Sequence, residues 1–203
     1  MVLTKEDQDR IGAAIRAAEA RTEGEIVCVL AKSSSDYAVY PLAWSALAAL
    51  IAPWLLVTLT ALSVERVLLI QLLLFLGLYV LFSVPAIHRL LVPRPVQRAS
   101  AHRAAMEQFM IRGMSRKANR AGVLIFVSLE EHYARIVADQ GITAKVDQSV
   151  WRGAIDALIS HMREERIADG FIAALEQCAG VLAEHFPVSA APTNDLPDRI
   201  YLI

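Results

Sequence analysis

The side chains best suited to chemistry fall in one short stretch. Asp139-Gln140-Gly141 is followed by Asp147. Glycine at 141 tolerates a positive φ that exposes backbone carbonyls, and two nearby carboxylates suit a hard divalent cation. The same carboxylates are candidate acid–base groups, with His132, beside Glu130 and Glu131, a more distant catalytic candidate. Both aspartates also have a plain structural reading. Asp139 accepts turn amides, and Asp147 caps the helix that carries Trp151. Asp36, beside Tyr37, is a third candidate metal ligand, although Ser33-Ser34-Ser35-Asp36 also reads as a linker.

Other chemistries lack their motifs. His88, His102, His132, His161 and His185 show no HExxH spacing and no cysteine partner. The two cysteines, Cys28 and Cys178, stand far apart, which excludes a disulfide framework and a Cys-rich zinc site. Each falls in an apolar run and reads as a buried thiol. Ser128 and Ser149 have no nucleophile-elbow glycines, and no P-loop or dinucleotide fingerprint occurs. No cofactor is expected with certainty, and a hard divalent cation is the one candidate.

These residues must be held by a chain of unusual composition. Of 203 residues 56% are hydrophobic and 20% charged, and the mean hydropathy is +0.43. A net charge of −1 excludes a broad electrostatic nucleic-acid binder. The apolar excess sits in the middle. Pro41 to Leu62 and Val67 to Ile87 carry no charge, and each meets the roughly 20 residues that a helix needs to cross a bilayer. Only Ser63-Val64-Glu65-Arg66 separates them, so the spans form an antiparallel transmembrane hairpin. Pro53 and Pro85 are expected kink positions. Gln71 is the lone strongly polar side chain within the spans, a candidate to hydrogen-bond a neighbouring helix. The absence of intramembrane charge argues against transport.

The first 40 residues are polar and open with an amphipathic pattern, unlike a signal peptide. Lys5, Arg10, Arg16, Arg21 and Lys32 precede the hairpin, and His88, Arg89, Arg94, Arg98 and Arg103 follow it. The turn offers only Arg66. This bias places both soluble segments in the cytoplasm. Arg112, Arg116, Lys117 and Arg120 extend the basic run and either meet anionic headgroups or form a solvated face.

Thr4 is the expected N-cap of a first helix, with Ile11, Ile15 and Ala18 at helical spacing. Glu25 to Ala31 reads as a buried strand. After Pro93 and Pro95 a helix from about Val96 to Met114 turns Ala105, Phe109 and Met110 inward. Gly122 to Leu129 is a second strand, and Tyr133 to Ala138 a third, antiparallel to it. A helix near Gln148 to Arg166 carries Trp151, Ile155, Leu158 and Met162. Another opens at Asp169-Gly170, carries Phe171, Leu175, Cys178, Leu182 and Phe186, and stops at Pro187. The tail from Val188 to Ile203 is expected to be extended. One strand before the hairpin forms no sheet alone. The expected organisation is therefore an α/β domain split between residues 1–40 and 88–187, interrupted by the hairpin at 41–87 and followed by a tail at 188–203.

Three segments in this order, Thr22-Glu23-Gly24-Glu25-Ile26-Val27, Ala121-Gly122-Val123-Leu124-Ile125-Phe126-Val127 and Ala134-Arg135-Ile136-Val137-Ala138-Asp139-Gln140-Gly141-Ile142, resemble the TPM domain family. The family is named for a thylakoid lumen protein, a photosystem II repair protein and a modulator of a nicotinic receptor. The likeness continues through Trp151 to Phe171-Ile172-Ala173-Ala174-Leu175. It implies an α/β sandwich with a small central sheet flanked by helices. It also implies calcium binding in some members and acid phosphatase activity in some plant members. Metal-binding relatives usually carry an acidic residue before the first helix. Met1-Val2-Leu3-Thr4 has none, which leaves Asp36 as the substitute ligand.

Two functions follow as expectations. The first is a membrane-anchored accessory module, bacterial inner-membrane in type, that supports assembly, repair or modulation of a membrane protein complex. Its partner is an integral membrane protein or a second copy met through the hairpin. The second is a metal-dependent phosphatase-like hydrolase using Asp139 and Asp147.

Overall fold

The computed structural model describes residues 3–84, 87, 90–114, 121–188 and 196–203. Pro85, His88, Arg89, Arg116, Lys117 and Arg120 lie outside them. The chain divides into two units, one of residues 1–34 with 100–203 and one of residues 35–99.

The first unit is built on a mixed four-stranded sheet. Its strands are β1 (Glu25–Ala31), β2 (Gly122–Ser128), β3 (Tyr133–Ala138) and β4 (Ile200–Leu202), in the order β3-β2-β1-β4. β1 runs parallel to both β2 and β4, and β3 is antiparallel to β2. Every residue of β1 and β2 is buried, as expected for central strands covered on both faces. Alternation then sorts the side chains. Ile26, Cys28, Leu30, Val123 and Ile125 join one core with Ile11, Ile15, Trp151, Leu158, Phe171 and Leu182. Val27, Val29, Leu124 and Phe126 face the other way, onto Ala105, Phe109 and Met114.

Helix α1 (Lys5–Glu19) starts at a reciprocal cap. Thr4 Oγ1 accepts the Asp7 N–H at 3.1 Å, and the Thr4 N–H donates to Asp7 Oδ2 at 3.2 Å. Its buried stripe is Ile11, Ile15 and Ala18. Helix α4 (Arg94–Ile111) buries Ala101, Ala105 and Phe109, and leaves Met110 exposed. Met110 was expected on the inner side. One residue beyond Phe109 is about 100° further round the helix, so the place is taken by Met114.

Two expected boundaries shift for local reasons. The stretch from Gln148 is one turn of 3-10 helix to Trp151, then α6 (Arg152–Arg163). It closes with Glu165 at φ 61°, the Arg166 N–H donating to His161 and the Glu165 N–H to Met162, the Schellman pattern. Helix α7 (Ile167–His185) therefore begins before Asp169-Gly170. Gly170 marks a close approach instead: a Cβ there would lie 3.0 Å from the Leu158 carbonyl oxygen. A short α5 (Gln140–Thr143) follows β3.

The tail does more than extend. Ile200–Leu202 is the edge strand β4, held by Lys32 N–H to Ile203 O at 2.8 Å and Ile203 N–H to Leu30 O at 3.0 Å. Three residues are too short to show a period-2 pattern, so the sequence reading lacked this strand.

The second unit contains α2 (Val39–Leu59) and α3 (Val64–Phe82), joined through Thr60–Ser63. At 1.5 Å per residue they measure about 31 and 28 Å. The connection falls earlier than the Ser63–Arg66 expected, because Thr60 turns extended and Ser63 already accepts the Val67 N–H at 3.1 Å. α2 continues through Pro53. Near the hairpin's open end Trp44 Nε1 donates to the Leu91 carbonyl at 3.3 Å. Only 11% and 6% of the apolar windows of these helices are buried.

Candidate functional site

Strand β3 separates the candidate residues at its two ends. β3 begins after His132 and ends before Asp139, so these two are roughly 23 Å apart along the strand and cannot share one site. His132 sits in the β2–β3 turn at φ 49°. Its neighbour Glu131 is buried and takes hydrogen bonds from Ser128 Oγ, from Ser33 Oγ at 3.2 Å and from the Ser34 N–H at 2.9 Å. Glu131 thus ties the end of β1 to the turn. It is a structural clamp that the sequence showed only as a turn residue.

Asp139 lies at the other end of β3, 5% exposed. Its N–H donates to Gly122 O at 2.9 Å, continuing the β2–β3 ladder, and its Oδ1 accepts the Gln140 N–H at 2.7 Å as the cap of α5. Its Oδ2 is buried and has no hydrogen-bond partner among the described residues. A buried carboxylate oxygen without a hydrogen-bond partner is suited to facing a cation. Asp147 is spent differently: its Oδ1 accepts the Ser149 N–H at 2.8 Å, capping the 3-10 turn that leads to Trp151. The Ser149 hydrogen bond holds its carboxyl below the usual aspartate value. Asp36 belongs to the second unit, where its Oδ1 accepts the Ala38 N–H at 3.0 Å. Among the described residues no group of three or more His, Cys, Asp or Glu side chains is placed to hold a metal ion.

A group of acids absent from the sequence reading lies at the same end of the sheet as Asp139. Glu25 opens β1 opposite Gly122 and is 3% exposed, and Asp198 precedes β4. Glu19, at the end of α1, accepts the Ile26 N–H at 2.9 Å. Burial pushes the Glu19 carboxyl up to about 8; the charges of Glu25 and Asp198 add to the rise, and a hydrogen bond with Asp198 keeps the proton in place. Residues 19 and 198 meet only because the tail folds back as β4, so no local spacing announced them. Beside them a groove of about 580 Å³ along β4 carries mixed charge, with Lys5, Arg16 and Arg199 against Asp9 and Asp198.

Cys28 and Cys178 are free and buried in the core. Burial raises both thiols, Cys178 to about 12, which leaves them un-ionised and inert at neutral pH.

The molecule is thus an α/β domain with a small mixed sheet between helices, and two long apolar helices stand between its first two strands in the chain. A TPM domain is present at residues 87–181, where the family model of that domain matches. The matched segment takes in β2, β3 and Asp139, and leaves Thr22–Val27 outside it. The NMR structure of the BA42 protein from the psychrophilic bacterium Bizionia argentinensis is similar, with a TM-score of 0.63 over 98% of this chain and 94% of that one. At 21% identity that likeness shows the fold alone. No curated protein matches this chain.

Proposed function

We propose that this chain is a membrane-anchored accessory module: its α2–α3 hairpin spans a bacterial inner membrane, and its TPM domain acts on a neighbouring membrane assembly without catalysing a reaction. The carrying observation is the exposure of the hairpin. Trp54 is 78% and Leu73 60% exposed, in helices about as long as a hydrocarbon core is thick. A core helix of a soluble protein would be mostly buried. The Lys and Arg bias of the flanking segments supports a cytoplasmic domain, with Arg94, Arg98 and Arg103 near anionic headgroups. The TPM domain supports an accessory role by likeness of fold. Purification from its own cells in mild detergent, followed by native mass analysis, tests the reading. A complex with an integral membrane protein or with a second copy is expected; a lone monomer with nothing bound would sink it.

One observation favours a second reading, a metal-dependent phosphatase. Asp139 Oδ2 is buried without a partner among the described residues, at the end of β3. In that reading Asp139 holds a cation, and Asp147 assists only after its cap to Ser149 is released. Phosphatase activity with added Ca2+ or Mg2+ that disappears in Asp139→Asn would move this reading ahead of the first.

A further inference from the structure

The hydroxyls of Ser45, Thr58 and Ser83 are satisfied by their own helix, and the side chain of Gln71 is not. Ser45 Oγ donates to Pro41 O at 2.7 Å, Thr58 Oγ1 to Trp54 O at 2.8 Å and Ser83 Oγ to Tyr79 O at 2.7 Å. The Gln71 side chain has no hydrogen bond among the described residues. Gln71 lines a groove of about 350 Å³ between the two helices, with Ala46 and Ala49 from α2 and Leu68, Leu72 and Phe75 from α3. Gln71 is two residues from the midpoint of α3, about 3 Å along the axis, and Ala49 is the midpoint of α2. Resting on the transmembrane reading above, this depth is the centre of the bilayer. Acyl chains offer an amide neither donor nor acceptor there.

We infer that the groove is closed by a second copy of this chain, packed about a two-fold axis along the membrane normal, with the Gln71 amides of the two copies hydrogen-bonded to each other. Such an axis brings identical residues together at identical depth, which is what an unpaired group near the midplane requires. A carboxamide is both donor and acceptor, so it is its own complement. A different partner would have to supply a matching polar group at the same depth; the second copy carries one already. The alanines on α2 let helix backbones come close beside the pair.

Cysteine cross-linking of the full chain in isolated native membranes tests this. The native thiols Cys28 and Cys178 are buried and serve as silent background. Leu68→Cys lies in the groove and Leu73→Cys on the opposite side of α3. Oxidation is expected to give a disulfide-linked dimer with Leu68→Cys and none with Leu73→Cys. Adding Gln71→Leu should reduce the Leu68→Cys dimer several-fold, while Gln71→Asn retains it. Equal cross-linking at both positions, or a Leu68→Cys dimer indifferent to Gln71→Leu, overturns the pairing. So does a Leu68→Cys adduct to a different membrane protein. Retention of the chain in carbonate-washed membranes with no dimer overturns the pairing and leaves the anchor standing. Release by carbonate overturns both.

Discussion

The two units handle apolar sequence in opposite ways. In β1 and β2 all fourteen strand positions, two unbroken runs of seven, are buried, and the protein itself supplies the cover. In α2 and α3 most leucines, valines and both tryptophans stay exposed, and the protein supplies almost none. The same hydrophobic effect acts on both. What separates them is length and geometry: a seven-residue strand fits between layers of helix, whereas a 19- or 21-residue apolar helix outruns a core this small and matches a bilayer.

Substitutions that treat the units alike should therefore have unlike effects. Trp151→Ala empties a fully buried site beside Leu158 and Phe171, and should lower unfolding stability by about 3–5 kcal/mol in urea titration. Leu73→Ala on the exposed face of α3 should leave the same transition unmoved. The reverse holds for charge. Leu73→Arg, at the middle of α3, should weaken membrane insertion by about 2.5–3.5 kcal/mol, read as the fraction released by carbonate. Full retention would contradict a span centred there. Gly170→Ala places a methyl against the Leu158 carbonyl and should cost about 1–3 kcal/mol, whereas Gly77→Ala, with open space around it, should cost nothing measurable.

The last prediction concerns pH. The folded chain holds the Glu19 proton up to about 8, above the ordinary 4.5, so the folded state binds more protons than the unfolded state in between. Stability is full below about 4.5 and falls as pH rises toward about 8. Glu19→Gln mimics the protonated form, keeps an acceptor for the Ile26 N–H and a donor toward Asp198, and should flatten that fall. Urea midpoints at the two ends of the window would show it. A variant as pH-sensitive as its parent would place the dependence elsewhere.

What the sequence made legible follows the same division. Runs such as Glu25–Ala31 and Gly122–Ser128 declare themselves by unbroken apolarity, and the cap of α1 by Thr4 with Asp7 three residues on. The two helices of the hairpin are legible for the same reason. Features that depend on distant pairing are not. β4 is three residues that become a strand only because β1 has a free edge, and the Glu19–Asp198 contact exists only once that strand docks. Of the candidate site, Asp139 emerges with an oxygen unpaired among the described residues, but Asp147 proves committed to Ser149 and His132 to the opposite end of β3. Spacing in the chain put the three within sixteen residues. A strand between two of them undoes that proximity in space.

The central claim is that the hairpin crosses a membrane while the sheet unit stays on one side. Labelling with a membrane-impermeant maleimide tests it most directly, using Ser63→Cys in the turn and Arg152→Cys on the exposed side of α6. In intact cells Ser63→Cys should be labelled and Arg152→Cys protected until lysis. Labelling of both positions from the same side would contradict the span.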